Sequence, residues 1–222
     1  KMLVIIVPTV LGLGLFTSIL LDQNPFGERY VRVLILLPFA IAAVVSSTFW
    51  AWVFNVNGTI NVLLETVGLG FLTINWTGSS TYSIYSVMIV IIWKYVGYVS
   101  IIFLGGIKSI PADHYKSARV FGASGFQLYR KVVIPQLKGT AIAAGLITAM
   151  FSIKSFGIVW VLTRGGPGIS SYVYPVLIFD RAFNLSQFSF SAAASILMFV
   201  LTTGLAALYL YITRGGLARE IR

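Results

Sequence analysis

Two lysines lie inside long apolar runs, and they are the side chains of this sequence with the clearest chemical potential. Lys94 lies ten residues into the run 84–107, and Lys154 lies within the run 139–163. A lysine at the centre of a bilayer costs about 2.5–3.5 kcal/mol on insertion scales and usually faces a cavity or a partner. We therefore predict that both lysines face a water-filled path and bind a polar solute. The alternative is that Lys154 reaches outward to the interface, while Lys94 bonds helix carbonyls of a neighbouring subunit.

Aromatic side chains flank both lysines. They are Trp93, Tyr95, Tyr98, Phe151, Phe156 and Trp160. An aromatic ring can stack on the apolar face of a sugar while the sugar hydroxyls take hydrogen bonds. We assign Tyr98, Phe156 and Trp160 to the predicted solute path, together with Lys94 and Lys154. For any single ring the alternative is helix packing or the aromatic belt at the membrane surface.

Catalytic and nucleotide-binding groups are not visible in the sequence. It has no GxxxxGK[ST] phosphate-binding loop, so the chain cannot hold ATP by that route. It shows no carboxylate pair, no nucleophile–base pair and no metal-ligand cluster. Cysteine is absent, which excludes a disulfide framework. We predict that the chain is not an enzyme and binds no cofactor or metal of its own.

Five apolar runs are long enough to cross a bilayer as helices, which takes roughly 20 residues. Only 10% of residues are charged, far below the roughly one quarter that is usual in soluble domains. Every backbone polar group in hydrocarbon must bond internally, which favours helices. We therefore predict an all-α integral membrane protein with one domain over 1–222 and a sixth span missing before residue 1. The predicted spans are 2–21, 33–54, 84–107, 139–163 and 188–213.

Basic residues are divided unevenly when the five spans alternate across the membrane. One side receives Lys1, Arg164 and Arg181. The other side receives Arg29, Arg32, Lys108, Lys116, Arg119, Arg130, Lys131, Lys138, Arg214, Arg219 and Arg222. The positive-inside rule makes this richer side cytoplasmic. The net charge of +10 then reflects topology and attraction to anionic lipid, so we expect no nucleic-acid partner. Loops 55–83 and 163–187 face outward, with a short interfacial helix at 58–70.

The cytoplasmic loop 108–138 is predicted to fold as a helix, a glycine turn and a second helix, which we call the elbow. Ser109 is the predicted N-cap, Pro111 suits the first helical turn, and Asp113 there agrees with the helix dipole. The first helix, 111–121, ends at Gly122, where a left-handed residue is needed.

The second helix of the elbow begins at Ser124, which forms a capping-box pattern with Gln127. Pro135 marks the start of the next span. Small residues in the elbow leave room for close approach of another surface, and Tyr115 and Phe121 are predicted to be exposed aromatics that anchor an interface. From the residues alone, a docking elbow and a helix resting on lipid headgroups are equally supported.

The elbow resembles the EAA loop of ABC importer permeases. The family pattern is Glu-Ala-Ala, three residues, Gly, nine residues, Ile, one residue and Leu-Pro. Here the corresponding residues are Lys116-Ser117-Ala118, three residues, Gly122, nine residues and Val132-Val133-Ile134-Pro135. The stretches 37–55 and 156–168 resemble those of the carbohydrate-uptake branch, which includes maltose-type and glycerol-phosphate-type permeases.

Several positions depart from the family pattern. Lys116 replaces the glutamate, which reverses a charge, and Ser117 replaces the first alanine. Phe121 and Gly157 stand where this branch often has aspartate. The docking geometry carries over through these changes, whereas an ion pair made by the family glutamate does not.

The resemblance implies a type I ABC importer transmembrane domain in a prokaryotic inner membrane. It implies two ATPase subunits that bind ATP and Mg²⁺, a second and non-identical permease, and an external solute-binding protein. The elbow residues it assigns to ATPase coupling are Pro111, Asp113, Tyr115, Lys116, Ser117, Ala118, Phe121, Gly122, Ala123, Ile134 and Pro135.

Two alternatives to the importer remain open on the residues. One is an ion-coupled secondary transporter, but such carriers usually place acidic residues within spans, and none of the five runs contains one. The other is a membrane assembly subunit without a solute path, against which the intramembrane lysines argue weakly.

Overall fold

The protein, seen in a computed structural model, is described over residues 2–23 and 27–220, without the side chains of residues 28 and 212–220. Within these ranges it forms helices and no strands. Residues 24–26, between the first two predicted spans, lie outside the described residues. So do Lys1 and the side chains of Arg214, Arg219 and Arg222, which the sequence assigns to the two membrane sides.

The chain runs through twelve α-helical segments in the described ranges. They are α1 (Met2–Asp22), α2 (Glu28–Ala40), α3 (Ala43–Val53), α4 (Thr59–Thr66), α5 (Ser83–Lys108), α6 (Ala112–Val120), α7 (Gly125–Leu128), α8 (Ile134–Gln136), α9 (Lys138–Ile153), α10 (Phe156–Leu162), α11 (Tyr174–Phe179) and α12 (Phe188–Glu220). A π-helical turn, Tyr129–Val133, joins α7 to α8, and another, Asp180–Asn184, follows α11.

Helix α5 is the centre of the molecule. It packs against α1, α2, α3, α9 and α10, and α12 lies on the far side of α9. Apolar side chains of α1 and α5 are fully buried between these helices, among them Val10, Ile91 and Val99. Close approach of α5 to its neighbours depends on small residues, because a Cβ on Gly97 would lie 1.8 Å from the carbonyl oxygen of Ile35 on α2.

Three helices of the described residues are long and apolar enough to cross a membrane by length and composition: Met2–Asp22, Ser83–Lys108 and Phe188–Tyr211. Two bent pairs raise the number to at most five. They are Arg29–Ala40 with Ala43–Val53, bent by 95°, and Gly125–Gln136 with Lys138–Ile153, bent by 65°. The first, third and fifth predicted spans are thus confirmed as continuous helices.

The prediction of a continuous helix over 33–54 is wrong. Helix α2 ends at Ala40, and Ile41 and Ala42 have extended backbones before α3 begins. Pro38 lies inside α2, which continues past it to Ala40. A proline disturbs the helical turn that precedes it, so Pro38 does not by itself account for the break after Ala40. The carbonyls that lose their helical partners at this break accept hydrogen bonds from Lys94 on α5.

The prediction of a continuous helix over 139–163 is also wrong. Helix α9 ends at Ile153, and α10 begins at Phe156 and packs against α3. Serine hydroxyls near this break bond backward to the backbone: Ser152 to the Thr148 carbonyl and Ser155 to the Ser152 carbonyl. Such bonds compete with the helical ladder and often bend helices.

Candidate functional site

The first helix of the elbow, α6, ends in a hydrogen-bonded glycine turn. The Ala123 N–H donates to the Ala118 carbonyl at 3.0 Å, and the Gly122 N–H donates to the Arg119 carbonyl at 2.9 Å. This pair of bonds defines the Schellman motif, in which the residue that follows the helix C-cap has a left-handed backbone. Gly122 supplies that conformation with φ 76°. The prediction that the helix ends at a left-handed Gly122 is confirmed, whereas its contact with an ATPase stays a prediction.

The start of α6 differs from its prediction. The N-cap residue is Pro111, and no side chain caps the helix. The hydroxyl of Ser109 donates instead to the Gly106 carbonyl at 2.8 Å. Ser109 is therefore not the N-cap, because its hydroxyl is satisfied by the last turn of α5. Asp113 lies in the first turn as predicted and forms an exposed ion pair with Lys116 at 3.1 Å.

The second half of the elbow carries the predicted capping box. The Gln127 N–H donates to Ser124 Oγ at 3.4 Å, and the Ser124 N–H donates to Gln127 Oε1 at 3.2 Å. The helical path continues through the π-helical turn and Pro135, and it bends by 65° into α9. The bend follows Gln136, so Pro135 lies just ahead of the next membrane segment, as predicted.

The elbow exposes apolar side chains at the end of α6, which we call its tip. Val120 is 84% exposed and Phe121 is 89% exposed, on either side of the end of α6. Lys116 and Ser117 are exposed on the same helix, and Ala118 is half-buried. The tip therefore offers a large apolar surface without an intrachain partner among the described residues.

Tyr115, unlike Phe121, is not exposed. It is half-buried, its hydroxyl donates to the Ile107 carbonyl at 3.3 Å, and burial followed by the charge of Asp22 raises its pKa. The prediction that Tyr115 is an exposed anchor is wrong, because the residue lies on the inner face of α6. This phenol joins the elbow to the end of α5.

The elbow is also tied to the end of α1, which the sequence did not indicate. The Tyr129 hydroxyl donates to Asp22 Oδ2 at 2.8 Å across 107 residues of chain. Asp22, Tyr115 and Tyr129 line a cleft of about 1390 Å³ between the elbow and the ends of α1 and α5. Tyr129 begins the π-helical turn, a distortion that is frequent at functional sites.

Lys94 is buried inside the chain, with 6% of its surface exposed. Its ammonium donates to the carbonyls of Pro38 at 3.1 Å and Phe39 at 3.3 Å, and to the carbonyl of Ile41. These carbonyls belong to the break between α2 and α3. The structure thus gives Lys94 backbone partners within its own chain, and contact with a solute stays a prediction.

Lys154 occupies the break between α9 and α10. Its side chain is exposed, and its backbone forms the C-cap of α9. Each lysine therefore lies at an interruption of a predicted span. Lys94 is buried beside the break between α2 and α3, and Lys154 is exposed at the break between α9 and α10. Exposure of Lys154 is compatible with both the predicted path and the alternative of reaching to the interface.

The aromatic residues assigned to the path form two clusters. Tyr98 stacks on Phe39 with ring centroids 4.4 Å apart, and both rings contact Phe151. Phe156 stacks on Trp160 at 5.6 Å. The structure therefore separates Tyr98 from the other two predicted rings.

The second cluster includes a residue that the sequence analysis missed. Phe179 lies 5.2 Å from Phe156 and 4.6 Å from Trp160 between ring centroids. It comes from the predicted outward loop 163–187, in which the structure forms α11. A short apolar stretch that begins with Tyr174-Pro175 was the available signal, because proline is favoured in a first helical turn.

The 55–83 loop is organised by Asn61, another residue that sequence reasoning missed. Asn61 is 3% exposed and donates to the Val56 and Ile74 carbonyls, each at 2.9 Å. It also accepts from Trp76 Nε1 at 2.9 Å. Asn61 lies on α4, which confirms the predicted helix in a shorter form. The loop is therefore a folded lobe.

The 163–187 loop contains a polar cluster around Asp180. Tyr172 and Asn184 donate to its two carboxylate oxygens at 2.8 and 2.6 Å. These hydrogen bonds, that of Asn184 first, lower the pKa of Asp180, while burial and the bond to Asp180 raise the pKa of Tyr172 to about 12. Both shifts preserve the tyrosine–carboxylate contact at neutral pH. Ahead of this cluster, α10 ends at Leu162, before the left-handed Gly165.

Comparison with known proteins assigns this arrangement to a family. Residues 10–215 match the family described as binding-protein-dependent transport system inner membrane component. The chain belongs to this family. Its members are the permeases of ABC transporters, so the chain is the permease subunit of an ATP-driven importer, a multi-pass membrane protein. Permeases of this kind are not themselves enzymes. The ion-coupled carrier and the assembly subunit are set aside.

Individual relatives agree with the family. A probable ABC transporter permease of Pyrococcus horikoshii is 39% identical over 211 residues, which cover 95% of this chain and 72% of the relative. The xylose/arabinose import permease XacH of Haloferax volcanii is 34% identical over 212 residues, which cover 93% of this chain and 66% of the relative. The chain thus spans about two thirds to three quarters of these relatives.

A solved structure supports the fold. A bacterial alginate ABC transporter, in complex with an alginate pentasaccharide-bound periplasmic protein, matches with a TM-score of 0.79. The match covers 96% of this chain and 76% of the other, at 19% sequence identity. The likeness confirms the all-helical fold of an ABC importer permease.

Proposed function

We propose that the chain forms part of the translocation path for a carbohydrate or a related polar solute. The solute class is supported by the relative whose name states xylose and arabinose import, and by the aromatic cluster of Phe156, Trp160 and Phe179. Stacked rings suit the apolar faces of sugars. Lys154, exposed next to this cluster, would donate to solute hydroxyls or to an anionic group.

The elbow is the proposed docking element for a cytoplasmic ATPase. The observation that carries this role is the exposure of Phe121, 89%, and Val120, 84%, at a rigid glycine turn. Exposed apolar groups of this kind mark an interaction surface. Two ATPase subunits would bind ATP and Mg²⁺, and the elbow of this chain would insert into one of them.

Movement of the elbow would reach the membrane by two routes. The 65° bend carries α7 and α8 into α9, which packs on α1 and α5. The hydrogen bond from Tyr129 to Asp22 connects the elbow to the end of α1. Closure of the ATPases on ATP would therefore rotate α1 and α9 together. Hydrolysis of ATP would turn the path back to face the cytoplasm.

A solute-binding protein is the proposed partner on the opposite side. The lobe 55–83 and the loop 163–187, both internally hydrogen-bonded, would receive it. A second, non-identical permease would complete the path. The assembly would lie in a prokaryotic inner membrane, with the basic elbow in the cytoplasm.

Reconstitution tests the proposal directly. The permease, its second permease, its ATPases and its binding protein are placed in proteoliposomes, and uptake of radiolabelled pentoses, disaccharides and polyol phosphates is measured. We expect ATP-dependent uptake of one of these solutes, with no uptake when the binding protein is omitted. Uptake driven by a sodium or proton gradient without ATP would refute the importer mechanism, and binding-protein affinity for amino acids alone would refute the carbohydrate class.

A further inference from the structure

Lys94 is a buried cation with no carboxylate partner among the described residues. Its ammonium has three N–H donors, and the structure gives it three acceptors, the carbonyls of Pro38, Phe39 and Ile41. A buried charge is normally paired or hydrogen-bonded. Here backbone carbonyls alone provide that compensation.

These carbonyls lie where the second membrane segment breaks. In an uninterrupted helix, N–H groups four residues further along would bond them. The last turn of a helix also carries the negative end of its dipole, which favours a cation. The ammonium of Lys94 therefore satisfies the end of α2 at the point where a bend of 95° separates α2 from α3.

Helix α5 holds α2 at a second point, one turn further along. Gly97 lies three residues after Lys94, on the same face of α5, and the Ile35 carbonyl oxygen occupies the space that a Cβ on Gly97 would fill. The two contacts fix α2 on α5 just ahead of the bend. Beyond it, α3 packs against α10, which carries Phe156 and Trp160.

We propose that Lys94 is a positioning residue that holds the second membrane segment bent and thereby places α3 and α10 beside the solute path. The role of Lys94 in the bend rests on its hydrogen bonds to the α2–α3 break and does not require the proposed function. Its consequence for transport rests on the proposed function, because it requires that α10 lines the path. Lys94 then acts on transport through the backbone, without touching the solute.

A distance measurement across the bend tests the proposal. The chain has no cysteine, so Tyr30→Cys and Trp52→Cys, on exposed positions of α2 and α3, can carry two spin labels in the assembled transporter. At about 1.5 Å rise per residue, a straight helix would separate these positions by about 33 Å, and the bend shortens this to about 22–24 Å. Pulsed electron–electron double resonance resolves the difference.

Lys94→Met should broaden the distance distribution and move it toward longer values. The matched control is Lys154→Met, which removes the other intramembrane lysine and should leave the distribution unchanged. A distribution in Lys94→Met as narrow and short as in the parent would overturn the proposal. Should Lys94→Met fail to assemble, Lys94→Gln, which lacks the charge and is shorter, is measured instead, and an unchanged distribution overturns the proposal equally.

Kinetics separate positioning from solute contact. In proteoliposomes, Lys94→Met should lower the maximal uptake rate at least tenfold and also raise the KM for solute, because α10 with Phe156 and Trp160 would leave the path. Both changes should accompany the longer spin-label distance. A raised KM with an unchanged spin-label distance would assign Lys94 to the solute site and overturn the positioning role. If the parent transporter takes up no carbohydrate, the proposed solute class fails, while the distance measurement still decides the role of Lys94.

Discussion

Gly122 has a left-handed backbone, and no atom lies within 4 Å of the position that a Cβ would occupy. The constraint on this residue is therefore conformational. Gly122→Val should strain the turn by roughly 1–2 kcal/mol and abolish uptake, while membrane insertion stays normal. Uptake in proteoliposomes and the yield of inserted protein are the measurements. Gly122→Asn, which tolerates the same backbone, should retain most of the uptake, and wild-type uptake by the valine variant would contradict the prediction.

Phe121 offers a residue-scale test of ATPase docking. Because its side chain is 89% exposed, Phe121→Ala should leave the melting temperature of the isolated permease unchanged. The loss of its apolar surface should reduce ATPase copurification severalfold. The control is Phe183→Ala, which removes an exposed phenylalanine of the 163–187 loop. This variant should leave ATPase copurification intact. Equal ATPase yield from both variants would argue against docking through Phe121.

Predictability at the residue scale depended on how local the determining interaction is. Gly122, Ser124 and Gln127 form contacts within a few residues, and the sequence pattern identified all three. Tyr115 was misplaced because the acceptor of its hydroxyl, the Ile107 carbonyl, lies across a turn on the end of α5. Ser109 was misplaced for a different reason: its hydroxyl bonds backward to Gly106, three residues earlier, instead of forward to α6.

Packing of α2 on α5 makes a prediction at the element scale. Gly97→Ala would place a methyl group against the Ile35 backbone, which cannot rotate away. We expect a loss of about 1–3 kcal/mol or more from overpacking, seen as a lower melting temperature in detergent. Gly105→Ala, on the same helix with no atom within 4 Å of the new Cβ, should melt like the parent. Equal melting of both variants would show that the helices separate freely.

The 55–83 lobe depends on one amide. Asn61→Ala would leave the Trp76 indole N–H and two backbone carbonyls without their partner, at about 1–3 kcal/mol for each group that stays buried. Amide hydrogen exchange of 55–83 should therefore accelerate, while exchange in α5 stays slow. Exchange at the parent rate in the lobe would contradict the central role of Asn61.

At the element scale, the sequence predicted where membrane segments lie better than how they are shaped. Apolar length identified the regions of α1, α5 and α12, which are continuous. It could not separate α2 from α3 or α9 from α10, because all four pieces are apolar. Lys94, which bonds the carbonyls freed at the break between α2 and α3, lies more than fifty residues away in the sequence.

Orientation of the whole molecule follows from the distribution of its basic residues, and the absence of cysteine makes it directly testable. Ser80→Cys, exposed in the 55–83 lobe, should react with an impermeant maleimide in intact cells. Ser117→Cys, exposed on the elbow, should react only after the membrane is permeabilised. Labelling of Ser117→Cys from outside would reverse the topology and remove the elbow from any cytoplasmic motor.

The family of the whole molecule was accessible from the sequence because the spacing in the elbow is specific. The rings of the proposed solute path were less accessible, because they lie on three separate elements: Tyr98 on α5, Phe156 on α10 and Phe179 on α11. Aromatic residues near a lysine indicated two of the three. The third required the fold of a loop that sequence periodicity does not reveal.

The backbone contact between Gly97 and Ile35 also constrains how this importer can be adapted to a new solute. Position 97 has no room for any side chain, whereas Tyr98, the next residue, is half-buried and stacks on Phe39 and contacts Phe151. A directed-evolution library that randomises position 98 and keeps glycine at 97 would test whether the proposed solute path sets solute preference.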